Sequence, residues 1–336
     1  IAKNLKSKFK SITTVCGGAH PSAKKEKLLE TFDCVCVKEG EFVLKEIVEI
    51  YLSEKRVSGV FESSRVVNLD DFHTYPKKVK MFGAIEIMRG CQFKCTYCQT
   101  PTLFPKGLRF RSIENILEDV RYSFSYGKRD CRFITPDAAS YMYNRGLNID
   151  AIYNLLSGIK KVTDNKGRIF FGSFPSEINP YFVTEDLVKI LKEFCSNKKI
   201  VIGLQSASPE QLKRMNRPPN ISKVEETIEL FLKYNFLVDV DFIFGLPFET
   251  KESLEETFLW IFKWIDKVRI HSHYFMPLPG SLWEDEVPTV IPEKIIKKIK
   301  YLEGRAKLFG QWNTQSKYFN YQTKKGVSEA NGILAI

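Results

Sequence analysis

No stretch of this chain reaches the roughly 18 consecutive apolar residues that a membrane-spanning helix needs. The most apolar helical segment, Phe258 to Ile265, is interrupted by Lys263 and followed by Asp266. No secretory signal, internal repeat or low-complexity tract is visible, and no Gly-rich dinucleotide fingerprint opens any of its strand–helix units. Eight cysteines in 336 residues are too sparse for a disulfide scaffold. Three of them fall within eight residues, which instead points to a metal or cluster site in a reducing compartment. We therefore expect a cytoplasmic protein that meets no membrane. The chain opens at Ile1 rather than Met, and its natural N-terminus is expected upstream.

What is present is an ordinary globular composition, 43% hydrophobic and 27% charged, long enough for one large domain and a smaller one. The net charge of +11 suits an anionic partner, but the lysines are scattered and lack the interleaved aromatics of a nucleic-acid platform. A lysine-rich solvated surface explains them, and nucleic acid stays open as a partner.

From about residue 83, strand-like and helix-like segments alternate. Strands are expected at 83–88, 131–135, 168–171, 199–204, 237–244 and 268–275. Helices are expected at 112–126, 149–162, 184–194, 222–234 and 251–266, with Ser112 and Thr184 as N-caps. Ser208-Pro209-Glu210-Gln211 has the form of a capping box. Six strands alternating with helices imply a parallel sheet, and we assign an α/β fold, a partial (β/α)6 TIM-like barrel over residues 81–290. Residues 1–53 read as β-α-β-α, the second half of a Rossmann-like domain; 54–80 as a linker; 291–336 as a helical extension.

Cys91-Gln92-Phe93-Lys94-Cys95-Thr96-Tyr97-Cys98 is the strongest signal. Three thiolates this close can hold one face of a cubane and leave a fourth iron without a protein ligand. A zinc site would want a fourth ligand, and no histidine lies in the loop. This C-x3-C-x2-C motif after a first strand, with Arg89-Gly90 before it and aromatic Tyr97 before the last cysteine, resembles the radical S-adenosylmethionine (SAM) superfamily over about residues 80–312. The resemblance implies a [4Fe–4S] cluster on Cys91, Cys95 and Cys98, SAM bound to it, and a one-electron reductant such as a ferredoxin or flavodoxin as partner. It also implies reductive cleavage of SAM to a 5′-deoxyadenosyl radical.

Further segments are similar to the branch containing the elongator catalytic subunit and coproporphyrinogen dehydrogenase. Gln205 and Ser206 end a strand, and Arg217 follows twelve residues after Gln205; in that branch such a Gln and Arg hold SAM. Asp241-Phe242-Ile243-Phe244-Gly245-Leu246-Pro247 is similar to the segment beside the adenine, where Gly245 lets backbone approach the base. Ser173 and Glu177 follow the third strand, where ribose contacts are expected. The family often has Gly-Gly-Glu after strand two, for the SAM amino group. Here Ile134-Thr135-Pro136-Asp137 stands there, with Thr135 or Asp137 as the substitute.

Val15-Cys16-Gly17-Gly18-Ala19-His20-Pro21 and Lys38-Glu39-Gly40-Glu41 resemble the cobalamin (B12)-binding domain that precedes many radical SAM domains of archaeal type. The resemblance implies Gly17, Gly18 and His20 near a cobalamin tail; the plain alternative is a tight turn. Cys16, Cys34, Cys36 and Cys195 read as small buried residues. His271 and His273, two apart on the last strand, point to one side and either line the interior or pair on a metal. Tyr141, Tyr143 and Phe174 are candidates for a substrate pocket. The leading expectation is a cobalamin-dependent radical SAM methyltransferase acting on an unactivated carbon. The rivals are a tRNA-modifying, methylthiotransferase-like enzyme and a non-enzymatic cluster or cobalamin carrier.

Overall fold

The computed structural model describes residues 1–9 and 11–324. The chain divides into two compact units, each described by itself. The first holds Ile1–Ser176, Lys189–Asn197 and Leu278–Asp285; the second holds Glu177–Val188, Lys198–Pro277 and the chain from Glu286 onward.

The first unit begins with a three-stranded parallel sheet of β1 (Val15–Cys16), β2 (Cys34–Val37) and β3 (Gly59–Glu62), in that order. Cys34, Cys36, Val43 and Ile47 form its core, with Val57 and Phe61 packed against them. The segment read as a linker thus contains a strand, and Val67, Leu69 and Tyr75 beyond it are buried. Its apolar spacing was too short and irregular to register as an element. The first helix of the expected β-α-β-α piece is two short ones, Ala19–Ala23 and Lys25–Leu29, broken at Lys24.

Next come β4 (Ile85–Glu86), β5 (Met88–Arg89), β6 (Arg109–Phe110), β7 (Asp130–Ile134) and β8 (Arg168–Phe170). β4, β7 and β8 form a parallel sheet in the order β4-β7-β8, whereas β5 and β6 pair antiparallel. The helix Ile113–Ser125 follows Ser112, whose hydroxyl accepts the Asn115 N–H. Helix Ile149–Val162 starts the same way from Asn148. Buried Ile116, Val120, Ile152, Leu155, Leu156 and Ile159 show that the spacing read from sequence places their apolar faces inward.

The second unit is built on a parallel sheet in the order β12-β11-β10-β9, from β9 (Lys199–Gln205), β10 (Leu237–Phe244), β11 (Arg269–Tyr274) and β12 (Leu308–Gly310). Register sets Val240 beside Ile270, Phe242 beside Ser272 and Phe244 beside Tyr274 on one face. Helix Lys251–Trp264 covers that face, with Phe242 against Trp260 and Phe244 stacked on Phe258. The odd positions point the other way and carry Asp239, Asp241, Arg269, His271 and His273, so one face is apolar and the other polar. The fold is α/β with parallel sheets, consistent with a partial barrel. Helices Glu293–Gly304 and Trp312–Lys324 flank β12; positions 325–336 of the expected helical extension lie outside the described residues.

Candidate functional site

The three clustered cysteines sit in a loop, 90–108, whose base is closed by the β5–β6 pair, Met88 opposite Phe110 and Arg89 opposite Arg109. Gly90 has φ +83°, and a Cβ there would lie 2.3 Å from the Gly107 carbonyl oxygen. The glycine is needed because another backbone crosses it. A charge network holds the same base. Arg89 donates to both Glu86 oxygens (2.8 and 2.7 Å) and to Glu39 (2.7 Å), and pairs with Glu41 (2.6 Å). Arg109 donates to Glu39 (2.7 Å) and to the Val67 carbonyl (3.0 Å). In the Lys38–Glu41 segment, Glu39 and Glu41 are thus spent on the strand that leads into the cysteine loop.

Inside the loop, Cys98 N–H donates to the Cys95 carbonyl (3.1 Å), Thr100 N–H points at the Cys98 sulfur (3.5 Å), and Gln99 Nε2 donates to the Pro279 carbonyl (2.6 Å). Burial, with the neighbouring Cys95 and Cys98 charges adding to it, pushes the Cys91 thiol up to about 11. Cys91, Cys95 and Cys98 are each half-buried on this one loop, and three thiolates are the donor type that holds an iron–sulfur cluster. Tyr97 is half-buried beside Cys98 in the same loop.

After β7, Thr135 and Asp137 close on each other. Thr135 Oγ1 donates to the Asp137 carbonyl (3.0 Å), and the Asp137 carboxylate accepts from Ala139 N–H (3.1 Å) and the Ser140 hydroxyl. Both residues thus serve their own turn, although the Asp137 charge reaches the Cys91 thiol. After β8, the buried Ser173 hydroxyl has no hydrogen-bond partner, the kind of orphan that a bound polar ligand satisfies. Phe174 beside it is exposed, whereas Tyr141 is fully buried and donates to the Arg111 carbonyl (2.7 Å). Tyr141 is core, not pocket.

In the second unit, Glu177, Gln205 and Arg217 meet over Gly203. A Cβ on Gly203 would lie 2.8 Å from Gln205 Nε2, 2.9 Å from Glu177 Oε2 and 3.9 Å from Arg217 Nη2. The missing side chain makes a cradle in which a carboxylate, an amide and a guanidinium share one spot. Gln205 reaches it from a backbone φ of +74°, at a shift in register between β9 and β10. Such a set fits a zwitterionic ligand with an amino and a carboxylate group. Ser206 is turned away: its buried hydroxyl contacts Thr257 Oγ1 (3.3 Å) and accepts from Ser208 N–H (3.2 Å). That contact also replaces the capping box expected at Ser208, whose side chain makes no cap. Gln211 donates instead to the Pro247 carbonyl (3.0 Å).

The turn after β10 is organised by Glu249, which sequence reasoning missed. Its Oε2 accepts the N–H groups of Gly245 (3.0 Å) and Leu246 (3.2 Å). Burial raises this carboxyl to about 8 despite those two donors. The space over Gly245 is taken by protein: a Cβ would lie 2.7 Å from the Tyr274 ring and 3.3 Å from the Thr289 carbonyl. The glycine expected to admit a base admits these two groups, and Leu246 is buried beneath them.

Gly17 and Gly18 lie on the exposed turn after β1, and exposed His20 is in the helix Ala19–Ala23. A Cβ on Gly17 would touch Cys36 Cβ at 3.2 Å, so strand packing explains that glycine; Gly18, at φ +108°, faces open space. The following helix closes on Thr102 and Gly280, where a Cβ on Gly280 would meet Ala23 Cβ at 3.1 Å. The cavity left there is about 50 Å³. Cys34 and Cys36 lie in the core of the first sheet, as expected of small buried residues.

The polar face of the second sheet holds a further cluster that sequence left open. Asp241 stands opposite His271 in the β10–β11 register, and its Oδ1 accepts from His271 Nδ1 at 2.9 Å. The His271 and His273 rings lie 4.4 Å apart. The Asp241 carboxylate raises the His271 imidazole, whereas burial and the His271 charge lower His273.

Comparison with known proteins places the chain in a superfamily. A family described as the Radical SAM superfamily matches residues 85–261. A protein of Helicobacter pylori (strain J99) named as a methylthiotransferase is 29% identical over 265 residues, covering 77% of this chain and 60% of its own length. The tRNA-2-methylthio-N(6)-dimethylallyladenosine synthase of Petrotoga mobilis is 28% identical over 320 residues, covering 90% of this chain and 70% of its own. Among solved structures, the cobalamin-dependent S-adenosylmethionine radical enzyme OxsB superposes with TM-score 0.59 at 16% identity, covering 86% of this chain and 43% of that one. The chain spans 60% of the length of the Helicobacter relative, and at 16% identity the OxsB likeness concerns the fold.

Proposed function

Because the chain belongs to the radical SAM superfamily, we propose that it is the radical-generating part of a methylthiotransferase-like enzyme that modifies tRNA. The observation that carries this reading is sequence likeness to a tRNA-methylthiolating synthase extending over 90% of the chain. The net charge of +11 suits a polyanionic substrate. When bound, the cluster and SAM supply a 5′-deoxyadenosyl radical able to abstract hydrogen from an unactivated carbon. The protein's part is to hold and orient. Cys91, Cys95 and Cys98 bind the cluster on a loop braced by Arg89, Glu39 and Gly90. The Glu177, Gln205 and Arg217 set takes the charged end of SAM.

Cobalamin-dependent methyl transfer, the leading expectation from sequence, is the second reading. The open face of Gly18 and the OxsB-like fold favour it. One experiment separates the two. Nucleosides from tRNA of cells lacking the gene are compared by mass spectrometry with wild type, and the protein purified anaerobically from its own cells is tested for bound corrinoid. Loss of a methylthiolated nucleoside with no corrinoid supports the first reading. An unchanged tRNA profile with stoichiometric corrinoid rejects it for the second.

A further inference from the structure

We propose that Asp241, His271 and His273 form a second metal site, distinct from the cysteine loop, for a single first-row divalent ion of the zinc or iron(II) kind. One donor atom from each can be chosen so that all three lie within 4.8 Å of one another, and no other such group occurs among the described residues. The arrangement follows from strand geometry. His271 and His273 are two apart on β11, so their rings leave the same face of the sheet. Parallel register then sets Asp241 of β10 directly beside His271.

The donor chemistry is specific. Two imidazoles and one carboxylate are the set that binds zinc in open catalytic sites and iron(II) in facial triads. At metal–ligand distances of about 2.1 Å, neighbouring donors lie roughly 3 Å apart; Asp241 Oδ1 and His271 Nδ1 lie 2.9 Å apart. No hydrogen bond engages His273 among the described residues, and its ring contact is with His271. Asp241 is buried, while both histidines are partly accessible, so the ligands are fixed on rigid strands and an ion has a path in. The outer faces are set as well: the Phe309 ring stacks on His271 with centroids 4.9 Å apart. Only three protein ligands are supplied, which leaves at least one coordination position for water or a substrate oxygen or nitrogen.

Cobalt(II) is the probe, because its absorption reports ligand type. The full chain is stripped with chelator, its cluster is rebuilt anaerobically so that the loop cysteines are occupied, and Co(II) is titrated. The expected result is one equivalent bound, with d–d bands of nitrogen and oxygen ligands and no sulfur-to-cobalt charge transfer. Losing a residue that only hydrogen-bonds a ligand already weakens metal sites by about 10–100-fold, so His273→Ala and Asp241→Asn should each weaken binding by at least about 100-fold. His73→Ala should leave it unchanged. His273→Gln keeps size and polarity and should fail like His273→Ala, with cluster absorption and circular dichroism intact. No uptake, uptake with thiolate bands, or uptake equal in His273→Gln overturns the proposal.

Discussion

Replacing Gly90 with alanine is expected to cost about 3 kcal/mol or more and to empty the cysteine loop of iron. Two effects add. The residue sits at φ +83°, where a side chain costs about 1–2 kcal/mol. The new Cβ would also lie 2.3 Å from the Gly107 carbonyl oxygen and 2.9 Å from its carbon. Backbone must then move by about 1 Å, against a ladder of two residue pairs and the Arg89–Glu39 network. Gly107→Ala is the matched control. It has nearly the same φ, +81°, but nothing within 4 Å of its added carbon, so it carries the conformational cost alone. Urea unfolding of the cluster-free proteins gives both costs, and iron per chain after anaerobic reconstitution gives the functional consequence. If the two variants lose equal stability and bind equal iron, the crossing of backbones at Gly90 does not hold the loop and the reasoning fails.

Glu249 makes stability depend on pH. Its folded carboxyl titrates at about 8 against an ordinary 4.5, so the folded state binds the extra proton between those values. Stability therefore falls as pH rises across that window, by about 5 kcal/mol at most. Glu249→Gln should flatten the slope of melting temperature from pH 5 to 8; an unchanged slope refutes the assignment. Glu39→Gln leaves Arg89 and Arg109 short of their carboxylate and should cost about 3 kcal/mol in urea unfolding, with the cysteine loop losing iron in step. Ser173→Ala removes a hydroxyl that has no partner, so stability should hold or rise slightly while SAM affinity by calorimetry drops; unchanged affinity would exclude Ser173 from the SAM site. Cys95→Ala should abolish both the visible cluster absorption and 5′-deoxyadenosine release.

Much of the fold was legible because periodicity is local. Helix Ile149–Val162 and strand Leu237–Phe244 stand at the residues their apolar spacing indicates, and Ser112 and Thr184 cap the helices they precede. The cysteine trio was equally legible, because its three residues lie within one short loop. Elements that lean on neighbours were not. The strand Gly59–Glu62 shows little pattern of its own and exists because β2 pairs with it. The Glu39–Arg89 clamp joins residues 50 apart in sequence.

Sequence by itself determined the alternation of elements and the close spacing of Cys91, Cys95 and Cys98. Tertiary structure decided what the glycines are for and which polar residues face one another. Gly90 and Gly245 make room for protein backbone and a tyrosine ring, not for a ligand, while Gly203 makes room for Glu177, Gln205 and Arg217. Asp241 meets His271 only through strand register, and a one-residue slip would turn either to the opposite face. Spacing along a chain fixes which residues share an element, whereas pairing between elements fixes which functional groups share a site.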